Sequence, residues 1–258
     1  MRAFITDIAR AVAFLSRLPV PAGFFVGDDG RLTRVVRAFS LAGLIIALPQ
    51  ALAAAALMVI AAPDLVSAVL VLFVLVLTTG SLHEDGLADT ADGLGAGGDR
   101  ERALAVMKDS RTGVYGVVAL VLTLALRAAA LAALFAILPP TALVLVLFAA
   151  ACLSRAAMVW HWHMLPSART TGVAAAAGRP DPGAARLALA SGIVIAGSLI
   201  VLAMGPVASL VLLAAAALAL FSFTSRTRRR LGGHTGDTIG ACQQIVETAC
   251  LVCLALLV

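Results

Sequence analysis

An all-α, polytopic integral membrane bundle is the fold this sequence predicts, with about seven transmembrane helices and an N-terminal interfacial helix. Three observations lead there. Of 258 residues, 62% are hydrophobic and 13% charged, with a mean hydropathy of +1.04, outside the range of water-soluble domains. Seven apolar runs approach the roughly 20 residues a helix needs to cross a bilayer. Strand-like alternation, the signature of a membrane barrel, is absent. Little chain remains for a separate soluble domain, so residues 1–258 are expected to form one membrane-embedded unit.

Residues 1–18 open the chain as an amphipathic helix. Phe4, Ile8, Val12 and Leu15 make one stripe, with Asp7, Arg10 and Arg17 off it, the pattern of a helix lying in the membrane interface. The segment lacks the unbroken apolar core of a cleavable signal and is expected to be retained. The spans follow at about 38–62, 65–82, 114–137, 140–160, 187–204, 206–224 and 239–257. Alanine and other small residues recur through them, which suits close helix packing in lipid.

Basic residues orient the bundle. Arg2, Arg10, Arg17, Arg31, Arg34 and Arg37 precede the first span. Arg100, Arg102, Lys108 and Arg111 follow the second, Arg169, Arg179 and Arg186 the fourth, and Arg226 and Arg228 to Arg230 the sixth. The alternate connectors, near Pro63, Pro139 and Gly205, carry no Lys or Arg. By the positive-inside rule the N-terminus and every long connector face the cytosol, which implies a bacterial cytoplasmic membrane protein. The net charge of +5 follows from this topology. Scattered over four connectors with little aromatic interleaving, the basic residues do not suggest a nucleic-acid partner.

The chemistry concentrates at 83–93, His-Glu-Asp-Gly-Leu-Ala-Asp-Thr-Ala-Asp-Gly. Asp85, Asp89 and Asp92 stand at i, i+4 and i+7, within roughly 60° of arc on a helix. Three carboxylates on one stripe repel unless a cation sits between them. A hard divalent ion such as Mg²⁺ takes oxygen ligands and offers its remaining positions to a substrate phosphate. Glu84 points roughly a quarter turn away and is a weaker metal candidate. Seven of the fourteen acids fall between Glu84 and Asp109, interleaved with glycines that let the backbone approach a ligand. A solvated loop is the alternative reading. His83 adjoins the cluster, where it would orient a ligand, take a proton, or simply cap the helix.

Two further segments carry polar groups to the same side. Lys108, Asp109, Ser110 and Arg111 open the third span; Asp109 and Ser110 are good N-caps, and the two cations beside a helix N-terminus make an anion site. The run 228–241 passes from three arginines through Gly232, Gly233, His234, Thr235, Gly236 and Asp237, a turn resembling a phosphate cradle without the spacing of a P-loop. Asp237 serves as ligand, cap or both. Within the spans, Gln243, Gln244 and Glu247 are expected to face the bundle interior, and Glu247 is a site candidate. Arg155 near the end of the fourth span, and Arg169 beyond it, are phosphate candidates, whereas the deeper Arg127 reads as a pairing residue. Trp160 and Trp162 read as interfacial aromatics, with His161 and His163 beside them. Cys152, Cys242, Cys250 and Cys253 match no metal spacing and read as packing residues.

Three ordered motifs carry a resemblance: H-x-D-G-x-x-D-x-x-D-G at 83–93, K-D-S-R-x-G-x-x-G at 108–116 and G-G-x-T-G-D-x-x-G-A at 232–241, with Phe14 to Pro21 ahead of them. The sequence resembles the adenosylcobinamide-GDP ribazoletransferases, the membrane cobalamin synthases, essentially end to end. The resemblance implies Mg²⁺-dependent joining of adenosylcobinamide-GDP to α-ribazole or its 5′-phosphate, with release of GMP. It implies Asp85, Asp89 and Asp92 as metal ligands with Asp237 or Asp109 in support. Arg111, Arg155 and Arg169 would balance phosphate charge, and His83 or an aspartate would take the hydroxyl proton. The lipid bilayer is an expected partner, and a homo-oligomer stays open. The D-x-x-D-G at 89–93 also resembles the opening of the CDP-alcohol phosphotransferase signature, without its following Ala-Arg. An aspartate-rich prenyltransferase is a further enzyme reading. A cation transporter is a reading of another class, which predicts carboxylates near the bilayer midplane.

Overall fold

The structure, a computed structural model, describes residues 2–27, 30–109 and 111–258, without the side chains of Arg2 and Val173. Ser110, one of the two caps expected for the third span, lies outside the described residues. Eleven α-helices are described: α1 Arg2–Leu15, α2 Phe39–Val59, α3 Asp64–Thr79, α4 Leu82–Gly95, α5 Arg100–Val106, α6 Val114–Ile137, α7 Pro140–Met164, α8 Val173–Ala177, α9 Pro182–Met204, α10 Pro206–Leu231 and α11 Gly236–Ala255. Among the described residues the only extended pairing is an isolated parallel bridge between Ser167 and His234. Among the described residues six helices are long and apolar enough to cross a membrane, and α3 and α4, bent by 92° at their break, pass as a seventh only when taken together. This is a multi-pass helical membrane bundle, as the apolar runs predict.

Helix α7 is the axis of the bundle, buried along most of its length against α2, α9 and α11. Its inner positions are small, so neighbours come close: a Cβ on Gly43 of α2 would stand 2.6 Å from the Ala151 carbonyl oxygen. The outer helices turn Leu52, Phe73, Leu122, Leu202 and Phe221 outward, an apolar surface for lipid tails. Helix α1 is amphipathic as its periodicity predicts, but its Val12 and Leu15 stripe packs on α2, so the apolar face is covered by protein and not by the membrane interface. Asp7 departs from that prediction: it is buried and held by Arg37 at 2.5 Å, with Arg34 at 3.9 Å.

Candidate active site

Helix α4 carries the acidic stripe, and its placement begins at a break. Gly80 and Ser81 both adopt left-handed backbone, which ends α3 and turns the chain into α4. Arg17, whose N–H donates to the Thr78 carbonyl at 2.8 Å, lays its side chain over Gly80 where a Cβ would stand. Further along, Gly86 lets α4 meet α11: a Cβ there would come 2.7 Å from the carbonyl oxygen of Asp237. The contact brings the stripe beside the start of α11.

Asp92 turns the other way. Its carboxylate accepts from the backbone N–H groups of Gly113 at 2.7 Å and Gly116 at 2.8 Å, and the side chain is buried. The anion site expected at the start of the third span is therefore filled by the chain itself, with Asp92 as the capping anion of α6. Asp109 does not cap that helix. It pairs with the exposed Arg111 at 2.6 Å, which pushes the Asp109 carboxyl down to about 2. Lys108 is exposed beside them.

The 232–241 turn has a mainly architectural logic. Gly232 closes α10 in left-handed backbone, and Gly233 passes so near the Pro166 carbonyl that no side chain fits. The His234 N–H then donates to the Pro166 carbonyl and its carbonyl accepts from the Ala168 N–H, both at 2.8 Å. Arg100 staples the same junction, donating to the carbonyls of Leu231 and Ala168 at 2.7 Å. Burial pushes the His234 imidazole down to about 4, with the charge of Arg179 adding to the effect. Thr235 and Thr238 form a reciprocal capping box on α11. That cap leaves Gly236 exposed and Asp237 half-buried on the first turn, facing α4.

Asp85, Asp89 and Asp237 thus share one neighbourhood. Asp89 lies in the electrostatic field of Asp85, Asp237 and Asp92, opposed by Arg169. Arg169 stands 3.4 Å from the Asp237 carboxylate and donates to the Leu104 carbonyl at 3.1 Å. Among the described residues no three His, Cys, Asp or Glu side chains are already gathered closely enough to hold a metal ion. Behind Asp85 and Asp237 lies a pocket of about 220 Å³, walled by Phe14, Leu15, Met158, Trp162 and His83 among others. Adjoining it, and sharing Ala174, Gly236 and Asp237, a second cleft carries the polar side chains of Ser167, Arg169, Thr171 and Thr235. His83 is 1% exposed, and among the described residues neither of its ring nitrogens has a hydrogen-bond partner.

Arg155 and Glu247 sit elsewhere. Both are buried inside the bundle, 3.8 Å apart, with Arg127 donating to Glu247 at 2.8 Å and to Gln244 at 2.8 Å. Ser154 and Gln243 also bond Glu247. Gln244 donates to Glu84 at 3.0 Å, so Glu84 looks into this network and away from the Asp85 side. Two aromatic readings change as well. Trp162 is 2% exposed, a pocket wall and not an interfacial ring, and His161 is a core residue bonded to Thr224 at 2.9 Å. Their burial follows from their place on α7, which hydropathy alone does not mark as central. Sequence reasoning also missed Phe14, Met158 and Ala174 as pocket residues, because apolar side chains carry no signal separating a pocket wall from a core.

A multi-pass helical bundle in which aspartates and an arginine line adjoining clefts defines a membrane protein with a charged site among its helices. The chain belongs to the family described as "Cobalamin-5-phosphate synthase", whose model matches residues 7–255. It is 56% identical to the adenosylcobinamide-GDP ribazoletransferase of Sinorhizobium medicae, over 99% of this chain and 98% of that protein. The protein of the same name from Rhizobium meliloti is 56% identical over 97% of this chain and 96% of its own length. That of Azorhizobium caulinodans is 46% identical over 96% and 94%. No solved structure matches.

Proposed function

We propose that this protein is an adenosylcobinamide-GDP ribazoletransferase of the bacterial cytoplasmic membrane, with the Asp85–Asp237 side of the bundle facing the cytosol. The observation that carries the reading is the convergence of the acidic helix α4 with the 232–241 turn, since these two segments also hold the motifs the family resemblance rests on. A hydroxyl of α-ribazole, or of its 5′-phosphate, attacks the phosphorus attached to the cobinamide side chain. The new P–O bond forms as the bond to GMP breaks, and GMP leaves with the electron pair. Positioning and charge neutralisation dominate such a displacement.

Asp85, Asp89 and Asp237 form an all-oxygen donor set whose mutual repulsion is opposed by the single guanidinium of Arg169. Such a set would suit Mg²⁺, with Asp85, Asp89 and Asp237 as the residues that would hold it. When bound, Mg²⁺ supplies charge neutralisation at the transferring phosphoryl group. Arg169 and the Thr235–Gly236 turn hold diphosphate oxygens on the polar-cleft side. Of the two proton acceptors the resemblance implies, His83 and an aspartate, the carboxylate is the better placed, because Asp85 is exposed beside Asp237 whereas His83 belongs to the apolar wall of the pocket. Asp92, Glu84, Arg155 and Glu247 serve the site through the helices they join. Asp109, Arg111 and Lys108 lie on its outer surface.

The test is GMP release and mass-spectrometric detection of the joined product by purified protein in detergent, given adenosylcobinamide-GDP, α-ribazole and Mg²⁺. The expected result is stoichiometric GMP and product, abolished by chelation and restored by added Mg²⁺. Absence of GMP from well-folded protein overturns the function; full activity in chelator overturns the metal.

A further inference from the structure

We infer that the apolar pocket behind Asp85 and Asp237 seats the aromatic base of the incoming α-ribazole, with His83 as its polar anchor. The inference rests on the reaction proposed above and adds where the acceptor lies and what recognises it.

Two heteroaromatic bases come to such a site: the guanine of the cobinamide substrate and the dimethylbenzimidazole of α-ribazole. Their hydrogen-bonding edges differ. Guanine presents several donors and acceptors, each costing about 1–3 kcal/mol if buried without a partner. Dimethylbenzimidazole, joined to ribose through one ring nitrogen, presents only its second ring nitrogen, an acceptor, and is otherwise apolar. The pocket is matched to the second. Its walls are Phe14, Leu15, Leu82, Met158, Trp162 and Ile239, and away from the carboxylates its one ionisable side chain is His83. At about 220 Å³ it admits a bicyclic base and excludes a corrin ring.

His83 supplies the second observation. It is 1% exposed on the pocket wall, and among the described residues neither ring nitrogen is paired. A neutral imidazole carries one N–H donor, the complement of the one acceptor on the base. Leaving that N–H unpaired is costly, and an entering acceptor relieves the cost. The geometry also sorts the substrates. Asp237, with Ala174 and Gly236, lines both this apolar pocket and the cleft of Ser167, Arg169, Thr171 and Thr235, so the base and the diphosphate adjoin across the Asp237 carboxylate. That adjacency lets the hydroxyl of a nucleoside seated in the pocket reach the diphosphate, as displacement at phosphorus requires.

A kinetic cycle tests the anchor. α-Ribazole is compared with its dimethylindole analogue, in which the free ring nitrogen is replaced by C–H, in wild type and His83→Phe, with GMP release as readout. The expected outcome is a KM for α-ribazole raised about 5- to 100-fold by His83→Phe, the range of one unpaired buried polar group. KM for the indole analogue and for adenosylcobinamide-GDP should stay within twofold between the two enzymes. A second variant reads the pocket without touching His83. Ala177→Leu, on the pocket wall, should raise KM more for α-ribazole than for the analogue lacking both methyl groups. Equal effects of His83→Phe on both nucleosides, or a fall in kcat alone, overturn the anchor. Unchanged nucleoside KM values in Ala177→Leu, or a rise confined to adenosylcobinamide-GDP, overturn the pocket assignment. Wild-type protein that releases no GMP rejects the reaction itself and is read before either variant.

Discussion

Arg127 on α6 and Glu247 on α11 close an ion pair at 2.8 Å, with side chains only 1% and 3% exposed. The pair lies inside the bundle, where an unpartnered charge is most expensive. Glu247 also takes bonds from Ser154 and Gln243 and stands 3.8 Å from Arg155. Glu247→Met therefore takes the nearest anion from two guanidiniums, which keep only the neutral acceptors Gln244 and the Ala151 carbonyl, whereas Arg127→Met leaves Glu247 its other donors. We expect Glu247→Met to cost about 3–5 kcal/mol and Arg127→Met clearly less. Thermal unfolding of both variants in one detergent checks the order.

Asp92 and Asp89, three residues apart, are expected to respond differently to the same change. Asp92→Asn gives up one of the two acceptor oxygens that cap α6 and should cost about 1–2 kcal/mol of stability. Asp89→Asn should leave stability within about 0.5 kcal/mol, as for a surface-type substitution. Its GMP release should fall by about 10²–10³-fold, the scale of losing one electrostatic stabiliser. Unfolding and turnover measured on the same preparations separate the two roles.

Arg169→Met should move two constants in opposite directions. Without its guanidinium, Asp89 and Asp237 repel with less opposition, so half-maximal activity should need less Mg²⁺. KM for adenosylcobinamide-GDP should rise about tenfold, as expected for loss of a charge-assisted hydrogen bond. Titrations of Mg²⁺ and of substrate in the variant check both directions.

Acid should loosen the junction of α10 and α11. In the folded protein His234 is pushed down to about 4, below its ordinary value near 6.5. As pH falls, the unfolded chain takes up this proton first. The stability linked to a neutral His234 is complete above about pH 6.5 and is lost as pH falls toward 4. Melting temperature against pH should fall across that window, and His234→Gln should flatten the fall.

The spans were legible because hydropathy reports contact with lipid. The run at 38–62 became α2 at Phe39–Val59, and 140–160 became α7 at Pro140–Met164. The ends were less legible. Helix α10 runs on to Leu231, two turns beyond the apolar run, because arginines at a C-terminus complement the helix dipole while lowering hydropathy. Within the site, spacing placed Asp85 and Asp89 on one face of α4 but could not see that Asp92 caps α6. That contact depends on Gly113 and Gly116, 21 and 24 residues away. Glu247 and Arg155 carried the right charge for phosphate chemistry, and only the packing of α6, α7 and α11 reveals that they neutralise each other.

The break at Gly80 and Ser81 divides α3 and α4 into two mechanical parts. Helix α3 turns Leu65, Val69, Phe73 and Leu77 outward and rests on α2 and α6, while α4 is clasped by α11 and α6. With the axis turned through 92° between them, a tilt of α3 in a thinner or thicker bilayer is expected to bend the joint more than it slides α4. The acidic helix is thus suspended from the interior of the bundle. A protein so built can keep its aspartates in register while its lipid-facing half follows the membrane around it.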